Sequence, residues 1–204
     1  VSDVVSTRQR VLDTALDSFG TTGVDGTSLD ALARELGLRK QSILYYFPSK
    51  NALFQAVVDE AASEFIAELD HIVASDDVWT QVEGTVRVVF RLAVQRPALL
   101  GLLREASRPG SMVAVSLTSR LSNHIEAALH SLEIALKDGR VAGDNARLLL
   151  FSLYSTVMGV ATEVEVLRAM GIEPSLRSLA ERRTELLRFL SAALTPVPGS
   201  SEAH

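Results

Sequence analysis

The chain has no cysteine among its 204 residues, which removes disulfides, cysteine nucleophiles and thiolate-held metals together. Its six prolines and a 5% share of aromatic residues are both low, so long helices can run without interruption. No stretch alternates apolar and polar residues long enough to suggest a sheet. A long apolar run is also missing. The longest charge-free stretch, Leu148 to Thr162, covers 15 residues and includes Ser152, Ser155, Thr156 and Thr162, whereas a membrane span needs about 20 predominantly apolar residues. It reads as a buried helix. The N-terminus has an early acid, Asp3, and no apolar core, which does not fit a secretory signal, so the expected location is the cytoplasm. Positive charge is in deficit as well: 20 Lys+Arg stand against 25 Asp+Glu, a net charge of −5. That balance excludes coating of nucleic acid or anionic membrane through bulk charge, though not a local basic site. The 47% apolar content excludes disorder, because it can bury a real core.

What the sequence does have is helix signal. Val11, Leu12, Ala15, Leu16 and Phe19 recur at helical spacing and predict a first helix over residues 7–19, ended by Gly20 or Gly23. A second helix is expected from Thr27, capped by its hydroxyl with Asp30 three residues on, to Gly37. A third covers residues 40–46 and stops before Pro48. Six longer helices follow over residues 50–73, 78–95, 98–106, 113–137, 145–169 and 174–194. The breaks between them hold Ser75-Asp76-Asp77, Pro97, Arg108-Pro109-Gly110-Ser111, Asp138-Gly139 with Gly143, and Gly171. The expectation is an all-α chain: an N-terminal three-helix domain over residues 1–49, a six-helix domain over 50–195, and a tail over 196–204 rich in proline and serine.

The segment from Thr27 to Lys50 carries the most specific signal. Ala33 stands four residues before Gly37, and Leu32, Leu36, Leu38 and Ile43 supply apolar positions. Two helices that cross steeply need a small residue where they touch, and the turn between them needs one that tolerates positive φ. That is the spacing of a DNA-binding helix-turn-helix, whose second helix enters the major groove. Charge agrees. Residues 1–54 are neutral overall, with six Lys+Arg and six Asp+Glu, so the acidic surplus lies in residues 55–204. From Leu36 to Val58 the chain holds Arg39, Lys40 and Lys50 and no acid. Lys40, Gln41, Ser42, Tyr45 and Tyr46 are the mixed polar set that reaches base edges and phosphates.

These residues, Thr27-Ser28-Leu29-Asp30-Ala31-Leu32-Ala33-Arg34-Glu35-Leu36-Gly37 and Ile43-Leu44-Tyr45-Tyr46-Phe47-Pro48-Ser49-Lys50, closely resemble the TetR family of one-component bacterial transcriptional regulators. The resemblance covers about the first fifty residues. It implies a homodimer that binds double-stranded operator DNA, usually as a repressor of a (pseudo)palindromic site, with a small-molecule effector in the helical C-terminal domain and a four-helix dimer bundle made by the last two helices. It implies that Thr27 meets a phosphate, that Lys40, Gln41, Ser42 and Tyr45 face the groove, and that Tyr46 and Lys50 hold the backbone. Leu44 departs from the family's frequent tyrosine. It either touches a thymine methyl or packs inward, and Arg39 can replace the lost contact. Tyr45 and Tyr46 also have a structural reading, packing against the fourth helix.

The C-terminal part says less. The helix expected over residues 145–169 is apolar nearly all round, with a small-residue stripe of Ser152, Ser155, Gly159 and Thr162. Together with Leu179, Leu186 and Leu190 of the last helix it is the candidate dimer surface. Phe65, Trp79, Leu102, Leu103, Met112, Phe151, Tyr154 and Met158 are candidates for an apolar effector cavity, with Glu105 and His124 as polar candidates. Any polar group found buried without a partner becomes the candidate anchor. The effector is expected to be apolar or amphipathic and to act by shifting the fourth helix, which carries the DNA-reading head as a lever. No cofactor and no metal is expected. Two alternatives remain: a helical DNA-binding architectural protein without effector, and a small all-α enzyme. Glu126 and His130 share a helical face near His124, yet no HExxH, glycine-rich phosphate loop or GxSxG motif is present.

Overall fold

The computed structural model describes residues 6–73, 77–105 and 112–196. Within them the chain forms ten α-helices and no strand, the all-α class expected from the sequence. They are α1 (Thr7–Gly26), α2 (Leu29–Leu36), α3 (Lys40–Tyr46), α4 (Lys50–Val73), α5 (Val78–Gln95), α6 (Pro97–Glu105), α7 (Met112–Lys137), α8 (Ala146–Thr162), α9 (Val164–Ala169) and α10 (Leu176–Leu194). The breaks expected at Ser75-Asp76 and at Arg108-Pro109-Gly110-Ser111, and most of the tail, lie outside the described residues.

Helix α6 opens at Pro97, which the sequence reading took as a break but which suits a first helical position; four further boundaries differ from the sequence reading, each for a local reason. Helix α1 runs past Phe19, and its interior break falls at Gly23, where φ is 77°. Helix α2 is capped by Ser28, whose hydroxyl accepts from the Ala31 N–H, and not by Thr27. The helix expected over residues 145–169 is two helices, because Glu163 takes a non-helical ψ of 70° between α8 and α9. The last helix starts at Leu176 behind a capping box in which Ser175 and Ser178 bond reciprocally.

By packing, the chain divides into two compact units, Val1–Ile66 with Arg96–Leu121, and Ala67–Gln95 with Ser122–His204. In the first unit, Val11, Leu12, Ala15, Leu16 and Phe19 of α1 close a core with Leu32, Ile43, Leu53 and Phe54. The Phe19 and Phe54 rings meet edge to face at 5.5 Å, a preferred aromatic geometry. Helix α6 belongs here. Leu99 and Leu102 are fully buried, and Gly101 and Ala98 lie directly against Gly20 of α1. Arg120 and Arg96 pair with Asp59 and Glu64 of α4.

In the second unit, α5, α8 and α10 pack on one another. Val78, Leu132, Ala135, Val141, Ala146 and Leu194 form a buried cluster, with Trp79 packed against it. Helix α7 ends at Lys137, two residues before Gly139, where φ is 65°, and the Ala142 N–H donates to the Leu194 carbonyl at 2.9 Å. Arg182 of α10 donates to the Val160 carbonyl at 2.5 Å, which places a cation in the last turn of α8 where free carbonyls favour it. Burial holds the Arg182 guanidinium pKa below its ordinary value. Neither unit begins or ends at residue 49, where the sequence reading places its first domain boundary.

Candidate nucleic-acid interface

Helices α2 and α3 are joined by a turn that their own sequence dictates. Gly37 takes the left-handed conformation, with φ 66° and ψ 28°, and the Leu38 N–H reaches back to the Ala33 carbonyl at 2.8 Å. This is the glycine stop common at helix C-termini. Ala33 is buried at the crossing, while Leu32, Ile43 and Phe47 anchor the pair from beneath. Arg8 of α1 stacks over the Phe47 ring at 5.3 Å, and Arg10 donates to the Leu36 carbonyl at 3.4 Å.

With Ile43 pointing inward, Gln41, Tyr45 and Tyr46 of α3 are left facing solvent. Tyr45 is 83% exposed and is the most exposed large apolar side chain among the described residues. Its ring meets Tyr46 edge to face at 5.2 Å. Arg39 and Gln41 are exposed, while Lys40, Ser42, Leu44 and Lys50 are half-buried. Leu44 therefore neither packs fully inward nor stands clear. Lys40 Nζ lies 2.8 Å from Asp30 Oδ2 in the first turn of α2.

Thr27 takes a different place from the one expected. Its side chain is buried, its hydroxyl donates to the Gly23 carbonyl at 2.9 Å, and it meets the Thr22 hydroxyl at 3.1 Å. It stabilises the end of α1, and the exposed N-cap hydroxyl of α2 belongs to Ser28. Both residues can cap, so composition cannot separate them. The phase of Leu29, Leu32 and Ala33, all buried, sets the helix start one residue later.

The expected effector residues divide between the two units. Leu102 and Leu103 are buried and Phe65 half-buried in the first; Met158 is buried and Trp79 half-buried in the second. Phe151 and Tyr154 are 65% and 46% exposed, so they do not line an enclosed cavity within the protomer. The side chains of Glu105 and Met112 lie outside the described residues. A surface cleft of about 530 Å³ next to the α7–α8 turn is lined by Glu133, Leu136, Lys137, Gly143, Asn145 and Arg147 among others, and none of the expected effector residues lines it. His124 meets the condition set for an anchor. Its Nε2 lies 2.8 Å from Asp70 Oδ1, while Nδ1 is buried with no hydrogen-bond partner among the described residues.

The expected dimer surface is also revised. Leu186 and Leu190 are each 3% exposed; they are used up in the protomer core and have no area left for a partner. Ser152 and Ser155 are exposed, and Gly159 and Leu179 half-buried. Leu148 and Phe151, each 65% exposed, extend the same α8 stripe. The sequence gives no way to see this, because an all-apolar helix does not say which of its faces the protomer leaves bare. Among the described residues no group of three or more His, Asp or Glu side chains is placed to hold a metal, and no helix is long and apolar enough to cross a membrane.

Residues 11–57 match the family described as bacterial regulatory proteins, tetR family. The chain is 25% identical over 159 residues to the HTH-type transcriptional regulator RutR of Escherichia coli K12, an alignment that covers 78% of this chain and 75% of that protein. Its fold is similar to that of AibR, solved in complex with isovaleryl coenzyme A and operator DNA, with a TM-score of 0.76 at 15% identity over 94% of this chain and 100% of that one. It is also similar to FadR of Bacillus subtilis, solved in complex with stearoyl-CoA, with a TM-score of 0.70 at 16% identity over 90% and 97% of the two chains.

Proposed function

We propose that this chain, which belongs to the tetR family of bacterial regulatory proteins, is a ligand-responsive transcriptional regulator that binds operator DNA as a homodimer. The observation that carries the reading is the outer face of α3 together with its N-cap residue. It presents Arg39, Lys40, Gln41 and an 83% exposed Tyr45 from a chain segment with no acid of its own between Leu36 and Val58. A tyrosine held in water serves no core. Lys50 at the start of α4 and the Ser28 cap of α2 are further groups suited to phosphates. Residues 1–49 then form the reading head, residues 50–195 the regulatory and dimer-forming part, and the protein acts in the cytoplasm, where its DNA is.

The regulatory part supports an effector of amphipathic character. AibR and FadR are named with acyl-coenzyme A ligands, molecules with an apolar tail and a polar head. For this chain the supporting feature is His124. Asp70 engages Nε2, which fixes the ring and leaves Nδ1 as a buried acceptor that a donor on the effector can satisfy. The effector acts by binding more tightly to the form that has released DNA, since only differential affinity shifts an equilibrium. Repression is the mode proposed.

Partner and effector are tested separately. Selection of duplexes from a random pool by the purified full chain should enrich a sequence with two-fold symmetry, as a symmetric dimer demands. Enrichment of no sequence would overturn the reading. Enrichment of a single unrepeated half-site would overturn the dimer.

A further inference from the structure

The pair between Lys40 and Asp30 joins two helices on the face proposed to meet DNA. Lys40 is the only cation within α3, and because residues 36–58 contain no acid, its counter-charge comes from α2. The side chains are 43% and 64% exposed, and an ion pair in that much water adds little to folding stability. Asp30 also lies in the first turn of α2, where a negative charge suits the helix N-terminus, but the cap itself comes from Ser28, so its pairing with Lys40 is not needed to start the helix. What the carboxylate does is place a negative charge 2.8 Å from the ammonium where a phosphate or base acceptor is to be recognised.

We infer that Asp30 is a specificity-determining residue: its carboxylate competes with the duplex for Lys40, withholding the ammonium from random DNA and releasing it to base acceptors of the cognate sequence. The inference rests on the reading of α2 and α3 as the DNA interface. Random duplex is held by phosphate neutralisation, and each cation that pairs with a phosphate releases condensed counterions. Paired with Asp30, Lys40 contributes no net charge and releases none. A guanine offers more, because its O6 and N7 lie together in the major groove and accept from a lysine directly. That contact recovers more of what the departure from Asp30 loses than a single phosphate does. The carboxylate therefore weakens binding everywhere but weakens non-cognate binding more, which widens the ratio that matters for finding one site among many.

The experiment uses the full chain, its selected duplex and a random duplex of equal length, titrated across salt concentrations. Asp30→Asn should tighten binding to random duplex about threefold or more and steepen its salt slope by about 0.9, the increment of one added phosphate contact. Binding to the selected duplex should tighten less, so the specificity ratio falls. In a Lys40→Met background the same Asp30→Asn change should have no effect, because the carboxylate acts through the ammonium. Thermal melting of each variant shows that the fold is kept. Equal tightening on both duplexes, an unchanged slope, or an effect that persists without Lys40 each overturns the inference and leaves Asp30 as general negative charge. A wild-type chain that selects no duplex removes the underlying reading of the interface, and the inference with it.

Discussion

Gly101 of α6 sits so close to Gly20 of α1 that a Cβ at position 101 would lie 2.5 Å from the Gly20 carbonyl oxygen. The contact is reciprocal, since a Cβ at position 20 would lie 2.5 Å from the Ala98 carbonyl oxygen. Both obstacles are backbone and cannot turn aside. In an open helix, alanine is better than glycine by about 1 kcal/mol, so the sign of the outcome is informative. Gly101→Ala and Gly20→Ala should each destabilise the protein by about 1–3 kcal/mol, the usual cost of overpacking. Urea unfolding measures it, and a stability gain in either variant would show that the two helices are not held this tightly.

Asp77 gives the clearest dependence on pH. Its carboxylate accepts from the Thr80 hydroxyl at 2.7 Å and the Thr80 N–H at 2.8 Å. These two bonds, the hydroxyl first, hold its pKa below the ordinary 3.8. A carboxyl whose folded pKa is depressed stabilises the fold above its unfolded pKa, and the contribution fades as pH falls through the folded value. Asp77→Ala should cost about 1 kcal/mol at neutral pH, as loss of a helix cap does. Because Asp77 is exposed, salt will trim the charge component. The wild-type and variant melting curves should draw together as pH falls below the ordinary carboxylate range and through the depressed folded value; a gap that does not narrow on acidification would contradict the assignment.

How far the sequence could be read depended on whether the controlling physics was local. The Ala33–Gly37 turn and the burial of Ile43 follow from neighbours within a few residues, and both were legible. The exposure of Tyr45 was not, because the sequence left it between facing the groove and packing against the fourth helix, and only the three-dimensional packing decides. Gly20 was not legible. In the sequence it reads as a helix stop, but α1 passes through it, because its lack of a side chain serves the approach of α6 from about eighty residues away. Phe151 and Leu186 were misplaced for a related reason. Periodicity places each on an apolar face, but which face meets the protomer's own core is decided by tertiary packing. His124 could be named as polar and intrahelical, whereas its unpartnered Nδ1 is visible only in three dimensions.

On the proposed interface, Tyr45 and Lys50 separate contact from charge. Tyr45→Ala should leave the melting temperature within about 1 °C, since the ring is 83% exposed and surface substitutions rarely move stability. It should nonetheless weaken binding to the selected duplex. Lys50→Ala should weaken binding to selected and random duplexes alike and reduce the salt slope by about 0.9, the signature of one lost phosphate contact. Gel-shift titrations at several salt concentrations read both. An unchanged slope for Lys50→Ala would take it off the backbone.

The buried Nδ1 of His124 makes a prediction that needs no known effector. A buried acceptor with no partner costs about 1–3 kcal/mol, while the exposed Asp70 pair contributes about 1 kcal/mol or less. Replacing the ring with an apolar side chain removes both at once. His124→Leu should therefore unfold at the same urea concentration as wild type or higher. A loss of more than about 3 kcal/mol would be the mark of a broken buried network, and would make the histidine a structural residue, not an anchor kept for a ligand.

The dimer proposal is tested where one protomer leaves α8 bare. Leu148 and Phe151 are each 65% exposed on a helix whose other side is core, and Ser152 and Ser155 lie beside them. Phe151→Glu puts a charge where the proposal needs burial, and an unpaired buried charge costs several kcal/mol. The variant should sediment as a 22.0 kDa monomer at concentrations where the wild type is dimeric, with helical content unchanged because the position is exposed in the protomer. Gly159→Ala supplies the finer reading. A Cβ there meets nothing within 4 Å among the described residues outside its own helix backbone, so in an isolated chain alanine should stabilise α8 by about 0.5–1 kcal/mol. If a partner helix comes close along the small-residue stripe, the added methyl should weaken association while the monomer becomes more stable, two effects of opposite sign from one substitution. Tighter or unchanged dimerisation of Gly159→Ala would move the interface off that stripe, and an unaffected Phe151→Glu dimer would move it off this face of α8 altogether.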